Sequence, residues 1–254
     1  MSGSILFIGT GAGGSSGSTR WRASTLVELP DALFLVDCGV GCHYRLSDRG
    51  VLPDIDLVYV THMHMDHFLG LPELIFQAHM EGRKEPLKIV GPEGIAEAIR
   101  AVGPHLFSDI NFPLQIETAS NGKTIVFGRA KLQVMEACHL VPSYGLKVSQ
   151  GDISIGFSSD TLEPCPGLAP MKGTKILIHE ATCDDSYTEL CRKYGHSTAR
   201  QAIEASLKFD SEVALLNHID ERFHNVNATV KNLLKVNEKP LARIVNDLDK
   251  VLLK

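Results

Sequence analysis

Thr61-His-Met-His-Met-Asp-His67 gathers His62, His64, Asp66 and His67 into six consecutive positions. Imidazole and carboxylate at this density are what a zinc ion takes at neutral pH. The preceding Ile55-Asp-Leu-Val-Tyr-Val60 reads as a buried strand. The following Leu71-Pro-Glu-Leu-Ile-Phe-Gln-Ala-His79 reads as a helix with proline in its first turn. The four side chains therefore sit on a strand-to-helix loop, where extended spacing sends His62 and His64 to one side and leaves Asp66 and His67 to face a second ion. Clustered histidines can also be an adventitious surface metal site. The apolar strand immediately before them argues against that reading.

His-x-His-x-Asp-His after a strand resembles the signature of the metallo-β-lactamase superfamily. That resemblance implies a third His, a bridging Asp and a last His, each at a strand end. His139 follows Leu132-Gln-Val-Met-Glu-Ala-Cys138, Asp160 closes Ile153-Ser-Ile-Gly-Phe-Ser-Ser-Asp160, and His218 closes Glu212-Val-Ala-Leu-Leu-Asn-His218. It further implies an α/β fold, a four-layer αββα sandwich with the metal edge along one side, as a single domain over residues 1–254. One ion would take His62, His64 and His139, the other Asp66, His67 and His218, with Asp160 between them. The implied cofactors are two Zn2+ per chain, with Mn2+ as the alternative.

The chain has 254 residues, 44% of them hydrophobic, enough to bury a large core in one domain. It lacks an apolar run of transmembrane length, and its start reads as a strand rather than a leader. Cys38, Cys42, Cys138, Cys165, Cys183 and Cys191 form no Cys-x-x-Cys pair, so reduced, buried thiols in a cytoplasmic protein are expected. Cys38–Cys42 and Cys138–Cys165 are the bridges held open as alternatives. A net charge of −5 argues against a uniformly basic nucleic-acid binder.

Gly9, Gly11 and Gly14 fit G-x-G-x-x-G after the strand at Ser4–Ile8, but a dinucleotide fingerprint must open a helix. The Ser- and Gly-rich stretch that follows has no helical period, so a tight loop near a phosphate or a metal is the better account. Strands are expected at 24–29, 32–37, 87–90, 114–118, 123–127, 146–149 and 175–179. Helices are expected from Pro92, over Thr198–Phe209, over Asn227–Val236 and over Leu241–Leu253. The basic stretch 225–254, with six Lys or Arg against three acids, reads as an amphipathic helical cover.

Leu177-Ile-His-Glu-Ala-Thr182, Gly195-His-Ser-Thr-Ala199 and Asn217-His-Ile-Asp-Glu-Arg-Phe223 resemble segments of the ribonuclease Z branch, endonucleases that trim tRNA 3′ ends. Phe7-Ile-Gly-Thr-Gly11 with Arg20, Val36-Asp-Cys-Gly39, His67-Phe-Leu-Gly-Leu-Pro72, Gly91-Pro92 and His139-Leu-Val-Pro-Ser-Tyr-Gly145 match its pattern as well. The likeness runs from about residue 4 to about residue 225. His196 lies just before a helix opened by Ser197 and Thr198, with Gln201 placed to complete a capping box. The helix end disfavours an imidazolium there, and a nearby Glu180 favours it. The balance predicts a proton held near neutral pH, suited to a general acid. Asp66 is the second candidate for handling a proton, and His179 is expected to be structural, on the opposite face from Glu180.

One departure matters. That branch carries a long arm for gripping tRNA between the third His and the bridging Asp, whereas His139 and Asp160 are 21 positions apart, joined by a short hairpin-like link. The expected activity is therefore phosphodiester hydrolysis, on RNA 3′ ends or on small or cyclic nucleotide diesters, by a cytoplasmic homodimer with no membrane partner. The rivals are a lactone or thioester hydrolase and a non-catalytic metal-bearing interaction module. The first would not need a Glu–His acid, and the second would need neither that acid nor an open metal position.

Overall fold

The computed structural model describes residues 3–13, 18–106, 110–223 and 241–253. Among them are fourteen strands in two seven-stranded sheets. The first sheet contains β1 (Ser4–Gly9), β2 (Ser24–Leu29), β3 (Ala32–Val36), β4 (Leu57–Tyr59), β5 (Leu87–Gly91) and β6 (Leu114–Thr118). The second contains β7 (Thr124–Phe127), β8 (Ala130–Glu136), β9 (Tyr144–Gln150), β10 (Ile153–Phe157), β11 (Ile176–Glu180), β12 (Val213–Asn217) and β13 (Leu241–Ile244). β14 (Lys250–Leu252) returns to the first sheet beside β1, giving the orders β14-β1-β2-β3-β4-β5-β6 and β13-β12-β11-β10-β9-β8-β7. Each sheet is antiparallel in one half and parallel in the other, turning parallel at β3–β4 and at β10–β11.

Strand alternation builds the layers. Ile5 and Phe7 of β1, Phe34 and Val36 of β3, and Leu57 and Tyr59 of β4 face the second sheet, where Leu132, Val148, Ile155 and Leu215 meet them. Ile8, Leu35, Val58 and Val60 point the other way. There they pack against α1 (Cys42–Ser47), the one-turn α2 (Met65–Phe68), α3 (Leu71–Met80) and α4 (Ile95–Leu106). On the far side, α6 (Ala199–Lys208), which follows the short α5 (Thr188–Lys193), covers β11 and β12 with Ala199, Ala202 and Ile203. Both faces of the central strands are covered, which explains their continuous apolar runs. This is the expected αββα four-layer sandwich.

Two expectations fail. Leu241–Leu253 is not a helix but β13, a tight turn at 245–249 and β14. The apolar residues that mimic a helical period alternate instead. Ala242 and Ile244 lie under the α6 layer, and Val245, Val251 and Leu253 face the inter-sheet core. Both sheets offered an open edge whose backbone groups needed partners, and this segment supplies one strand to each. The thiols are not all reduced. Cys138–Cys165, one of the two bridges held open, and Cys183–Cys191 are disulfides, with Cα atoms 5.6 and 6.2 Å apart, whereas Cys38 and Cys42, the other candidate pair, are free and buried. The expected helix over Asn227–Val236 lies outside the described residues.

Candidate metal centre and acid pair

Four of the candidate ligands stand just past the C-terminal end of a strand, and His64, Asp66 and His67 lie at or within the one-turn α2 that follows β4. His62 follows β4, His139 follows β8, Asp160 follows β10 and His218 follows β12. Asp37, Ser159 and His218 have positive φ angles of 61°, 59° and 57°. Such left-handed turns are costly for non-glycine residues and cluster where side chains must be re-aimed.

All seven predicted residues converge. His62 Nε2 lies 3.0 Å from His64 Nδ1, which lies 3.3 Å from His139 Nε2. His67 Nε2 lies 3.0 Å from His218 Nε2, and Asp66 Oδ2 approaches His218 Nε2 at 3.1 Å. Asp160 Oδ2 stands between the two groups, 3.4 Å from His62 Nε2, 3.4 Å from His67 Nε2 and 3.5 Å from His218 Nε2. One carboxylate oxygen thus faces both clusters.

The outward nitrogens explain why the inward ones are bare. His139 Nδ1–H donates to Gly195 O at 2.7 Å, and His67 Nδ1–H to Asp37 Oδ2 at 2.7 Å. Thr61 Oγ1 donates to Asp37 Oδ2 at 3.0 Å and so accepts from His62 Nδ1 at 3.1 Å. Thr182 Oγ1 donates to Glu180 Oε2 at 2.7 Å and so accepts from His218 Nδ1 at 2.9 Å. These bonds assign the tautomers and leave Nε2 lone pairs pointing inward.

The electrostatics fit a divalent cation. Burial, with the neighbouring imidazole of His67, pushes His62 well below the ordinary histidine value, and burial with His139 lowers His64. Both rings are held neutral, the form that binds a metal. Burial also disfavours a charged His67, yet Asp160, Asp37 and Asp66 outweigh it and raise that ring well above the ordinary value. Burial opposes ionisation of Asp160, but His218, His67 and His62 hold it well below the usual carboxylate range. Convergent lone pairs among carboxylates that call for positive charge are what two metal ions would satisfy.

The Glu180–His196 pair, the candidate acid, stands beside this edge. His196 Nδ1 is 3.1 Å from Glu180 Oε1 and 3.8 Å from Asp160 Oδ2. The predicted capping box is present, with Gln201 N donating to Thr198 Oγ1 and Thr198 N to Gln201 Oε1. Glu180 is buried and accepts from Thr161 N, Ser197 N, Thr182 N and Thr182 Oγ1 as well as from His196. Burial alone would raise Glu180, but His196 lowers it. Burial also lowers His196, while Glu180, then Asp160 and Asp66, raise it to about 9. That exceeds the near-neutral balance expected from the helix end, because three carboxylates face the ring rather than one. His179 is structural as expected. Its Nδ1 donates to Glu180 O at 2.7 Å and its Nε2 lies 3.4 Å from Glu163 Oε1.

A cavity of about 450 Å3 opens beside His64 and His196, walled by Leu140, Tyr194, Arg222 and Phe223. The tie between His139 and Asp160 is the β9–β10 hairpin. The sequence motifs contain Asp37, Thr61 and Thr182 without giving them a task, and they do not single out Gly13. Their common signal is a hydrogen-bonding group next to a ligand or at the end of a neighbouring strand.

Comparison with known proteins agrees with this architecture. The family model described as Anti-Pycsar protein Apyc1 matches residues 3–230. A ribonuclease Z of Methanothermobacter thermautotrophicus is 24% identical, covering 96% of this chain and 94% of its own. The metallo-β-lactamase fold protein YhfI from Bacillus subtilis superposes with a TM-score of 0.84 at 18% identity, over 99% of this chain and 100% of its own. Human tRNase Z, short form, gives 0.82 at 22% identity, over 98% of each chain.

Proposed function

This chain belongs to the Anti-Pycsar protein Apyc1 family, and from that premise we propose that it is a dinuclear zinc phosphodiesterase acting on small nucleotide phosphodiesters, cyclic ones included. It is a metal-dependent hydrolase with the metallo-β-lactamase fold, of the phosphodiester-hydrolysing kind. The observation that carries the reading is the convergence of two ligand clusters on Asp160 Oδ2, with the Glu180–His196 pair at their side. His62, His64 and His139 would hold one ion, Asp66, His67 and His218 the other, and Asp160 would bridge them. Imidazole and carboxylate donors suit zinc, with manganese the alternative.

Two divalent cations bound there lower the pKa of a water and offset charge on phosphoryl oxygens. The remaining work belongs to side chains. His196, oriented through Nδ1 by Glu180, carries a proton on Nε2 for the leaving oxygen. Positive charge held at Asp66 and Asp160 would remove part of the attraction that raises His196. Asp66, 3.1 Å from His218 Nε2, is the candidate to accept a proton. The reading takes residues 1–254 as one domain, working as a cytoplasmic homodimer.

Substrate size follows from the missing arm and from the cavity. Affinity for tRNA comes largely from phosphate contacts remote from the scissile bond. A hairpin stands where such contacts would be made. A cavity of about 450 Å3 suits a small ligand. Elemental analysis of protein purified without chelator is expected to give close to two ions per chain. That protein should hydrolyse small and cyclic nucleotide diesters readily, and precursor tRNA only with a high KM and a steep salt dependence. One ion or fewer with full activity would overturn the dinuclear reading. Tight, salt-resistant tRNA cleavage without small-diester hydrolysis would overturn the substrate.

A further inference from the structure

We propose that Asp247, in the turn between β13 and β14, is a positioning residue for Asp66, acting through the glycine loop after β1. The inference rests on the reading of Asp66 as a metal ligand. The mechanism leaves this loop, singled out in the sequence, without a task. Its Gly13 N–H donates to Asp66 Oδ2 at 2.6 Å, the same oxygen that lies 3.1 Å from His218 Nε2 and 3.5 Å from His67 Nε2. A backbone donor on one lone pair fixes the carboxylate's rotation and so decides which lone pair remains for a cation.

The loop is clasped on two sides. Gly11 N donates to Trp21 O at 2.7 Å, Ala12 N to Ile219 O at 3.0 Å, and Ile219 N to Thr10 O at 2.8 Å. The fit is close enough to demand glycine. A Cβ on Gly9 would stand 1.9 Å from Arg22 O, and one on Gly11 would stand 2.8 Å from Arg20 Cβ. Asp247 joins the strands of this clasp. Its Oδ1 accepts from Thr10 N at 2.9 Å and Thr10 Oγ1 at 2.6 Å. Its Oδ2 accepts from Trp21 N and from Arg45 Nη1, each at 2.8 Å. Arg45 in turn donates to Ile8 O, at the end of β1, and lies 4.1 Å from the centre of the Trp21 ring. Four donors converge on a carboxylate that is 14% exposed, and two of them come from the backbones flanking Gly11 and Ala12. Without it, Thr10 and Trp21 lose their common anchor and Gly13 N–H loses its aim at Asp66.

A general tie-down would lower the stability of the whole chain, whereas a positioning role acts on one ligand cluster. Titration of the metal-free chain with Co2+, followed by absorption of the bound ion and by calorimetry, separates the two. The wild type is expected to bind two equivalents. Asp247→Ala should weaken one of them by about 10–100-fold, the usual cost of losing a ligand's outer partner, and leave the other unchanged. Thr10→Val removes the hydroxyl's bond to Asp247 and the one it accepts from Arg20, keeps the Thr10 N–H bond, and should weaken the same equivalent by a smaller factor. It carries the test alone if Asp247→Ala does not fold. Equal weakening of both equivalents, or of neither in a folded variant, overturns the inference. A wild type that binds one equivalent overturns the two-ion reading, and this inference with it.

Discussion

Asp37 and Glu180 occupy matching corners of the two sheets, and each serves two imidazoles by the same wiring. Asp37, after β3, accepts directly from His67 and reaches His62 through the Thr61 hydroxyl. Glu180, at the end of β11, accepts directly from His196 and reaches His218 through the Thr182 hydroxyl. The difference lies in what the direct partner does. Both imidazoles served by Asp37 are candidate ligands, so on the proposed reading that corner supports metal binding alone. Glu180 serves one candidate ligand and the candidate acid, so its loss should damage both binding and proton transfer. A carboxylate with a threonine relay is thus a reusable support, and its function is set by which ring lies nearest.

The largest effect should come from the Glu180 corner. His196→Ala is expected to lower turnover by about 10²–10⁴, the reach of general acid catalysis, with metal content unchanged. Glu180→Ala should match that loss and also weaken metal retention, through Thr182 and His218. The double variant should turn over little more slowly than Glu180→Ala, since groups acting as a unit are not additive. The basic limb of the rate–pH profile reports His196 losing its proton, so it should vanish in His196→Ala. A substrate with a very good leaving group needs no acid and should hide the defect. If Glu180→Ala spares metal retention entirely, the two corners are not alike in the way described.

A smaller effect is expected at the Asp37 corner. Asp37→Ala should weaken metal affinity by about 10–100-fold, while turnover of the fully loaded protein falls less than in His196→Ala. Thr61→Val keeps the Asp37–His67 bond and should cost less than Asp37→Ala. Chelator competition followed by elemental analysis would check the order. Turnover lost at saturating metal in proportion to Glu180→Ala would show that Asp37 does more than support ligands.

How far the site could be read from sequence follows from how local each signal is. The heptapeptide around His62 carries four of the seven candidate residues in one loop. His139, Asp160 and His218 each close an apolar run, which marks a strand end. The outer partners are different. Asp37 reaches His67 across thirty positions and Thr182 reaches His218 across thirty-six, and only the packed sheets bring them together. Gly9, Gly11 and Gly14 matched a cofactor fingerprint by spacing, and the missing helix after them was enough to reject it, but nothing local singled out Gly13 as the residue that would reach Asp66. The C-terminal strands were misread for a related reason. Leu241–Leu253 has apolar residues at spacings compatible with a helix, and the decisive fact, two open sheet edges, lies in other parts of the chain. The Cys183–Cys191 bond was missed because a 3-10 turn at Asp185–Tyr187 folds α5 back onto Cys183, a bend the spacing of eight does not announce.

The smallest expected effect comes from His179 and Glu163, a buried histidine–carboxylate pair resembling His67–Asp37 but facing away from the ligand edge. Burial disfavours a charged His179, but Glu163, helped by the Glu180 carbonyl, raises it above its ordinary value of 6.5. A histidine raised in the folded state contributes stability that is fully present below its unfolded pKa, about 6.5, and is lost as pH rises through the folded value. Glu163→Gln should therefore destabilise the chain most below about pH 6.5, by about 1.5–3 kcal/mol, the scale of a hydrogen bond to a charged group. The gap from wild type should narrow as pH rises above that value. Denaturant unfolding of both proteins across this range, with and without chelator, would measure it. Because no candidate ligand touches Glu163, the pH-dependent gap should be the same in either condition, whereas the stability lost in Asp37→Ala should depend on chelator. A gap that widens with rising pH would mean His179 is neutral when folded. One that disappears with chelator would tie Glu163 to the metal edge and end the distinction between the two pairs.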